Sequence, residues 1–291
     1  MQRYYPVVRV LSLIIFMFGV TMLAPLLLSW FMHDGAESAF DEAVVLTVAT
    51  GLGLWWATRR ETRDLTIRDG FLMVALVWTV LPVYAALPLI LQLHLSFTDA
   101  YFEAVSGLTT TGATVVVGLD ELPVSINFWR TQLVWLGGMG LIVLAVAILP
   151  LLGIGGRQMF KAETPGPMKD SKMTPRMTET AKGLWFVYVL ISIACTLGYY
   201  WAGMSWLDAI MHMFATMGLG GFSSHDASFG FFDSPAIEAV SIAFMLIAGC
   251  NFATHFLVVS QRSFRPYAAD PEAGWFLLVT IGSVIGIAVF L

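Results

Sequence analysis

Seven apolar stretches, at 7–32, 43–58, 70–93, 128–152, 183–204, 237–260 and 274–291, leave few folds open to this chain. A run of roughly 20 such residues is long enough to cross a bilayer core as a helix. Hydrophobic residues make up 58% of the sequence and charged residues only 12%, too few to coat a soluble domain of this length. The first stretch is longer than the roughly 7–15 residues of a signal-peptide core and meets no small-residue cleavage site, so it reads as a retained helix. The expectation is an all-α polytopic membrane protein.

Charge sorts the loops. The segments before stretch 1 and between stretches 2 and 3, 4 and 5, and 6 and 7 hold 14 of the 15 Lys and Arg and 8 of the 20 acids. The opposite side holds Arg130 and the other 12 acids. Basic loops mark the cytoplasmic side, so the N-terminus is predicted inside. The acidic outer face concentrates cations near any entrance. Cys195 and Cys250 lie in apolar stretches and read as small packing residues. The basic loops are short and flank membrane helices, which makes them topology signals and points away from nucleic acid.

The two outer segments, at 93–127 and 205–236, are repeats of each other. Ser96-Phe97-Thr98-Asp99-Ala100 aligns with Ser205-Trp206-Leu207-Asp208-Ala209, and the same offset of 109 places Gly112 on Gly221. Ser-x-x-Asp is a helix-start pattern in which the hydroxyl caps the first turn and the acid faces its free N–H groups. A helix of about three turns, too short to span, follows in each copy. Each copy then enters a run of small residues, Thr109-Thr110-Thr111-Gly112-Ala113-Thr114 in one and Gly218-Leu219-Gly220-Gly221-Phe222-Ser223 in the other.

The predicted organisation is an N-terminal helical hairpin (1–66), a helix–re-entrant loop–helix repeat (67–160), a cytoplasmic linker (161–180), a second repeat (181–265) and the first helix of a third (266–291). Irregular backbone at membrane depth is tolerated only where it is buried in protein or lines a watery cavity. Ion conduction gives a reason for it. The C-terminal end of a short helix carries about half a negative charge, and the loop returning outward can offer carbonyls in place of an ion's water shell. Such a strand needs small residues and at least one Gly. Thr and Gly runs also serve as packing surfaces in membranes; the matched caps and spacing favour the ion-binding reading.

The run Ser106-Gly107-Leu108-Thr109-Thr110-Thr111-Gly112-Ala113-Thr114, followed by Gly118-Leu119-Asp120, resembles the first pore loop of the Trk/Ktr potassium-uptake family. Gly220-Gly221-Phe222-Ser223-Ser224-His225-Asp226 resembles the second pore loop of its TrkH-type branch, and Pro165–Asp170 and Gly249-Cys250-Asn251-Phe252 are similar to the same branch. The resemblance implies four repeats around one pore, with carbonyls of four loops surrounding potassium. It implies coordination by Thr110, Thr111 and Gly112 and by Leu219, Gly220 and Gly221, with Ala113 and Phe222 closing the outer ends. It further implies a homodimer in the lipid of a bacterial inner membrane and a cytosolic, nucleotide-binding TrkA-like partner. Potassium is then the transported ligand, with no covalent cofactor. Channel-like conduction and symport both remain open.

Two repeats supply two of the four loops. The chain is therefore expected either to conduct as part of a four-repeat assembly or to be a truncated, non-conducting protein that only associates with full-length subunits or the regulatory partner. A membrane enzyme would need clustered acids, His or Cys, and none is arranged for a reaction.

The remaining polar residues carry weaker expectations. Asn251, on stretch 6, lines the pore or bonds a neighbouring helix; His255 does the latter. His212, His225 and Asp226 are expected in solvated or capping roles. Arg130 braces Asp120 or Glu121 at the mouth or anchors at the interface. Glu103 hydrogen-bonds behind the first loop or draws cations to the entrance. Gly137-Gly138-Met139-Gly140 and the pair Gly282 and Gly286 are expected at close helix contacts.

Overall fold

In the computed structural model, which describes residues 4–60, 66–148 and 173–290, no strand occurs among the described residues. The hairpin consists of α1 (Tyr5–Thr21), α2 (Leu23–Met32) and α3 (Glu37–Thr58). α1 and α2 run on as one span of 28 residues. α3 packs on α1 so closely that a Cβ on Gly51 would stand 2.7 Å from the Phe16 nitrogen. The Asp34 carboxylate in the hairpin's outer turn accepts hydrogen bonds from Ser29 Oγ and, at 2.8 Å, from the Ser125 N–H. It thereby caps the start of the helix that opens at Val124. Burial alone would raise the pKa of Asp34; the bonds from Ser29, Ser125 and Ala36 together outweigh it and hold the carboxyl below its ordinary value.

The first repeat comprises α4 (Ile67–Ala85), α5 (Leu87–Leu93), α6 (Phe97–Leu108) and α7 (Val124–Ile148). Thr66 and Asp69 form a reciprocal capping box that starts α4. Pro82 lies within α4 and Pro88 in the first turn of α5, and the two helices continue as one span of 26 residues. The second repeat comprises α8 (Met173–Trp201), α9 (Trp206–Gly218), α10 (Pro235–Ala248) and α11 (Phe252–Gln261), and α12 (Arg265–Ala269) leads into α13 (Pro271–Phe290). Among the described residues, four helices or continuous pairs are long and apolar enough to cross a membrane, and α10 with α11 makes a fifth if taken as one span.

That pair corrects the sequence expectation. Stretch 6 is not one straight helix: α10 and α11 meet at 91°. The break falls at Gly249-Cys250-Asn251, and Asn251 restarts the helix by accepting the Ala253 N–H at 2.9 Å. His255 bridges the corner, with one ring nitrogen 2.8 Å from the Ile247 carbonyl and the other bonded to Tyr267. Residues 161–172 of the expected linker, with Pro165 and Pro167, lie outside the described residues.

Among the described residues two apolar cores hold the fold. One joins the hairpin to the first repeat around Trp129, whose indole packs against Phe18 and Phe40 and donates to the Ala85 carbonyl at 3.0 Å. The other gathers Tyr188, Tyr199, Met213, Phe214 and Phe252 in the second repeat. α7 belongs to both: Trp135 leans on Tyr188 and Phe214 and donates to Ser192 Oγ at 3.0 Å. α7 is thus the wall shared by α6 and α9. The expected contact at Gly282 and Gly286 is absent: nothing among the described residues lies within 4 Å of a Cβ on either.

Candidate functional site

The site is built from the two short helices α6 and α9 and the loops that leave them. Both helices start as their sequences dictate. Ser96 Oγ accepts the Asp99 N–H at 3.1 Å, and Ser205 Oγ accepts the Asp208 N–H at 3.1 Å. With 12 and 13 residues, they rise roughly 18–20 Å, well short of the ~30 Å hydrocarbon core. Both end against α7. A Cβ on Gly137 would stand 1.9 Å from the Leu108 carbonyl oxygen, and one on Gly138 would stand 3.0 Å from Gly218 Cα. These two glycines let both helix ends seat on one wall; Gly140 meets nothing within 4 Å.

The loops leave the helices with the same backbone geometry. Thr110 and Leu219 have φ of 57° and 54°, and Gly112 and Gly221 have 76° and 77°. The residues between them, Thr111 and Gly220, are not in this region. The two loops therefore share one alternation of left-handed and other backbone. Thr110 and Leu219 are non-glycine residues held left-handed, a strain of about 1–3 kcal/mol each that surrounding structure must impose. Here the imposition is visible. The Thr111 N–H reaches back to the Ser106 carbonyl at 2.9 Å, and the Gly220 N–H reaches the Ala215 carbonyl at 3.1 Å. Every pair is again 109 residues apart. The loops touch where Gly112 faces the Gly220 carbonyl, which would lie 1.6 Å from a Cβ there. Thr111, Ala113, Leu219 and Gly221 are exposed, whereas Phe222 and Gly220 are buried.

Each loop is pinned from behind by a buried side chain of its short helix. Glu103, fully buried, accepts from Thr114 Oγ1 at 2.9 Å and from the Val115 N–H at 3.1 Å. Its counterpart is His212, whose Nε2 lies 3.0 Å from Ser223 Oγ. His212 Nδ1 faces the Asp208 carbonyl at 2.9 Å, which only accepts, so Nδ1 carries the proton and Nε2 receives the Ser223 hydroxyl. His212 is therefore not solvated. The offset that matched the glycines also matches Glu103 with His212 and Thr114 with Ser223; differing residue types hid the equivalence.

Arg130 does not pair with Asp120 or Glu121. It is buried and bonds Glu103 Oε1 through Nε at 2.9 Å and Nη2 at 2.6 Å. Asp120 instead bonds His225 and accepts the Asp226 N–H at 3.2 Å. Those contacts hold its pKa below the ordinary 3.8, the His225 bond contributing most. Asp226 returns the link, accepting the N–H groups of Gly118 and Leu119 at 3.2 and 3.1 Å. His225 is half-buried rather than solvated: its other nitrogen lies 3.2 Å from Asp208 Oδ1, and its ring stacks on Phe231. These contacts join the outer ends of the two loops. Asn251 is exposed at the helix break and donates to Glu272 at 3.3 Å. Among the described residues no group of three or more His, Cys, Asp or Glu is placed to hold a metal ion.

Comparison with known proteins follows this geometry closely. The family model described as "TrkH: Cation transport protein" matches residues 36–291. The chain belongs to the TrkH family. It is 51% identical over 286 residues to the Trk system potassium uptake protein TrkH of Escherichia coli strain K12, covering 98% of this chain and 59% of that protein. It is 50% identical to the TrkH of Halomonas elongata, covering 96% of this chain and 58% of that one. The crystal structure of the potassium transporter TrkH from Vibrio parahaemolyticus superposes with a TM-score of 0.86 at 45% identity, covering 97% of this chain and 57% of the other. This TrkH-family chain thus spans about 59% of the length of the curated relatives it matches.

Proposed function

We propose that this chain supplies two of the four loops of a potassium-conducting pore. Carbonyls of Thr110, Thr111 and Gly112 and of Leu219, Gly220 and Gly221 coordinate the ion, and Ala113 and Phe222 close the outer ends. One observation carries the reading: two loops with little shared sequence have the same alternation of φ at positions 109 residues apart, at the ends of two short helices. Backbone of that shape serves a carbonyl-lined site, and helix C-termini favour a cation beyond them. The relatives' names, which give potassium uptake as the activity, support potassium as the ion.

Asn251, exposed at the helix break, is assigned to the pore lining on the inner side of the loops. The pore lies in a bacterial inner membrane with the N-terminus cytoplasmic, as the basic residues Arg9, Arg59 and Arg60 on one side support. The full assembly is a homodimer whose basic inner loops receive a cytosolic TrkA-like nucleotide-binding subunit.

The test uses a four-repeat protein carrying these 291 residues. Gly112→Ser or Gly221→Ser lowers potassium uptake relative to sodium uptake in cells lacking their own potassium systems. An unchanged ratio in both variants refutes the assignment.

A further inference from the structure

Glu103 and Arg130 form a buried ion pair between two elements of the first repeat, with side-chain exposures of 0% and 1%. Burying two charges in a membrane is costly, and such a pair is weak evidence for stability in itself. What distinguishes this one is what else it touches. Arg130 Nη2 donates to Thr114 Oγ1 at 3.0 Å, and Thr114 Oγ1 in turn accepts the Val116 N–H at 3.1 Å. The same guanidinium lies over the Phe222 ring, 4.8 Å from its centroid. Nη1 donates to Asn127 Oδ1 at 3.2 Å, and the Asn127 amide donates to the Leu119 carbonyl at 2.7 Å and the Ser224 carbonyl at 3.3 Å. One planar cation therefore grips the first loop two residues beyond Gly112 and the second loop one residue beyond Gly221.

We propose that the Glu103–Arg130 pair determines ion discrimination without touching the ion, by fixing the spacing of the two loops. This rests on the reading of the loops as the ion site. Arg suits the role because its flat fork bonds a carboxylate along one edge while its face lies on an aromatic ring. The second loop has no equivalent. The helix that follows it, α10, carries no Lys or Arg, and the His212–Ser223 bond serves instead. The two loops are therefore supported unequally, and the charged support reaches both. Thr114 and Arg130 act here as positioning residues, since neither belongs to the carbonyl set.

The test compares Arg130→Lys, Thr114→Val and Gly112→Ser in a four-repeat protein carrying this sequence. The readouts are potassium, rubidium and sodium uptake and the amount of protein in the membrane. Lys keeps the charge but loses the fork and the flat face; Val keeps the shape of Thr114 but loses its hydroxyl. Both are expected to reach the membrane and to lower the potassium-to-sodium ratio about threefold to tenfold, the scale of one or two lost hydrogen bonds. Thr114→Ser is expected to restore it. An unchanged ratio in both, with Gly112→Ser still lowering it, overturns the support role and leaves the ion site standing. An unchanged ratio in Gly112→Ser removes the ion site and this proposal with it. If Arg130→Lys fails to reach the membrane, Thr114→Val decides; failure of both assigns the pair to folding alone and also overturns the proposal.

Discussion

Gly112 and Gly221 occupy the same place in the two repeats and have nearly the same φ, 76° and 77°, yet substituting them with Ala has different consequences. At Gly221 nothing among the described residues lies within 4 Å of the new Cβ. Only the left-handed backbone resists, by roughly 1–2 kcal/mol, and a more restricted unfolded chain offsets about 0.4–1 kcal/mol of that. At Gly112 the same balance applies, but the Cβ also lands 1.6 Å from the Gly220 carbonyl oxygen, with the carbonyl carbon at 2.8 Å. The obstacle is backbone and cannot rotate away. The two loops must part by more than an ångström, and forced displacement in packed protein costs about 1–3 kcal/mol further. Gly112→Ala is therefore expected to melt lower than Gly221→Ala by about 2–12 °C, taking about 2–4 °C per kcal/mol. The assay is thermal unfolding of the 291-residue chain in detergent, followed by the near-ultraviolet signal of its aromatic residues. Equal losses in the two variants would falsify the claim that the loops touch at Gly112.

On α7, Gly137→Ala should lower the melting temperature clearly, because its Cβ meets the Leu108 carbonyl at 1.9 Å; Gly140→Ala, in open space on the same helix, should leave it unchanged or slightly raised. Glu103→Ala leaves Arg130 buried without its charge partner and should cost about 3–5 kcal/mol. The double variant Glu103→Ala/Arg130→Ala should lose less than the two single losses together, as a melting-based double-mutant cycle would reveal. The depressed carboxyl of Asp120 predicts a pH dependence. A group with a lowered folded-state pKa contributes fully above its unfolded value, here 3.8, and loses that contribution as pH falls through the folded value. Melting temperature should drop on acidification below 3.8, and the drop should be shallower in Asp120→Asn, measured across the same pH series.

The elements of this protein were legible in the sequence wherever a local rule fixes them. Apolar stretches marked the helices, since only a helix satisfies its own backbone in lipid. Ser96 and Ser205 marked the starts of α6 and α9, because a cap acts within three residues. Gly112 and Gly221 marked the loops, because they recur at the same offset as the two caps and left-handed backbone favours Gly. The 91° corner in stretch 6 was not legible. Gly249 and Asn251 interrupt the apolar run there without a Pro, and the corner is held by His255 bonding across it to Ile247 and to Tyr267.

Partnerships between distant residues were beyond the sequence. Arg130 had acids at Asp120 and Glu121 closer along the chain, but α6 and α7 face each other across the core and bring Glu103 to it instead. Asp120 was thereby left for His225 of the other repeat. Composition and periodicity decide which residues leave water, and they do so residue by residue. Which buried charge meets which is decided only when helices pack, because the energy of such a pair depends on a contact distance that no spacing along the chain encodes.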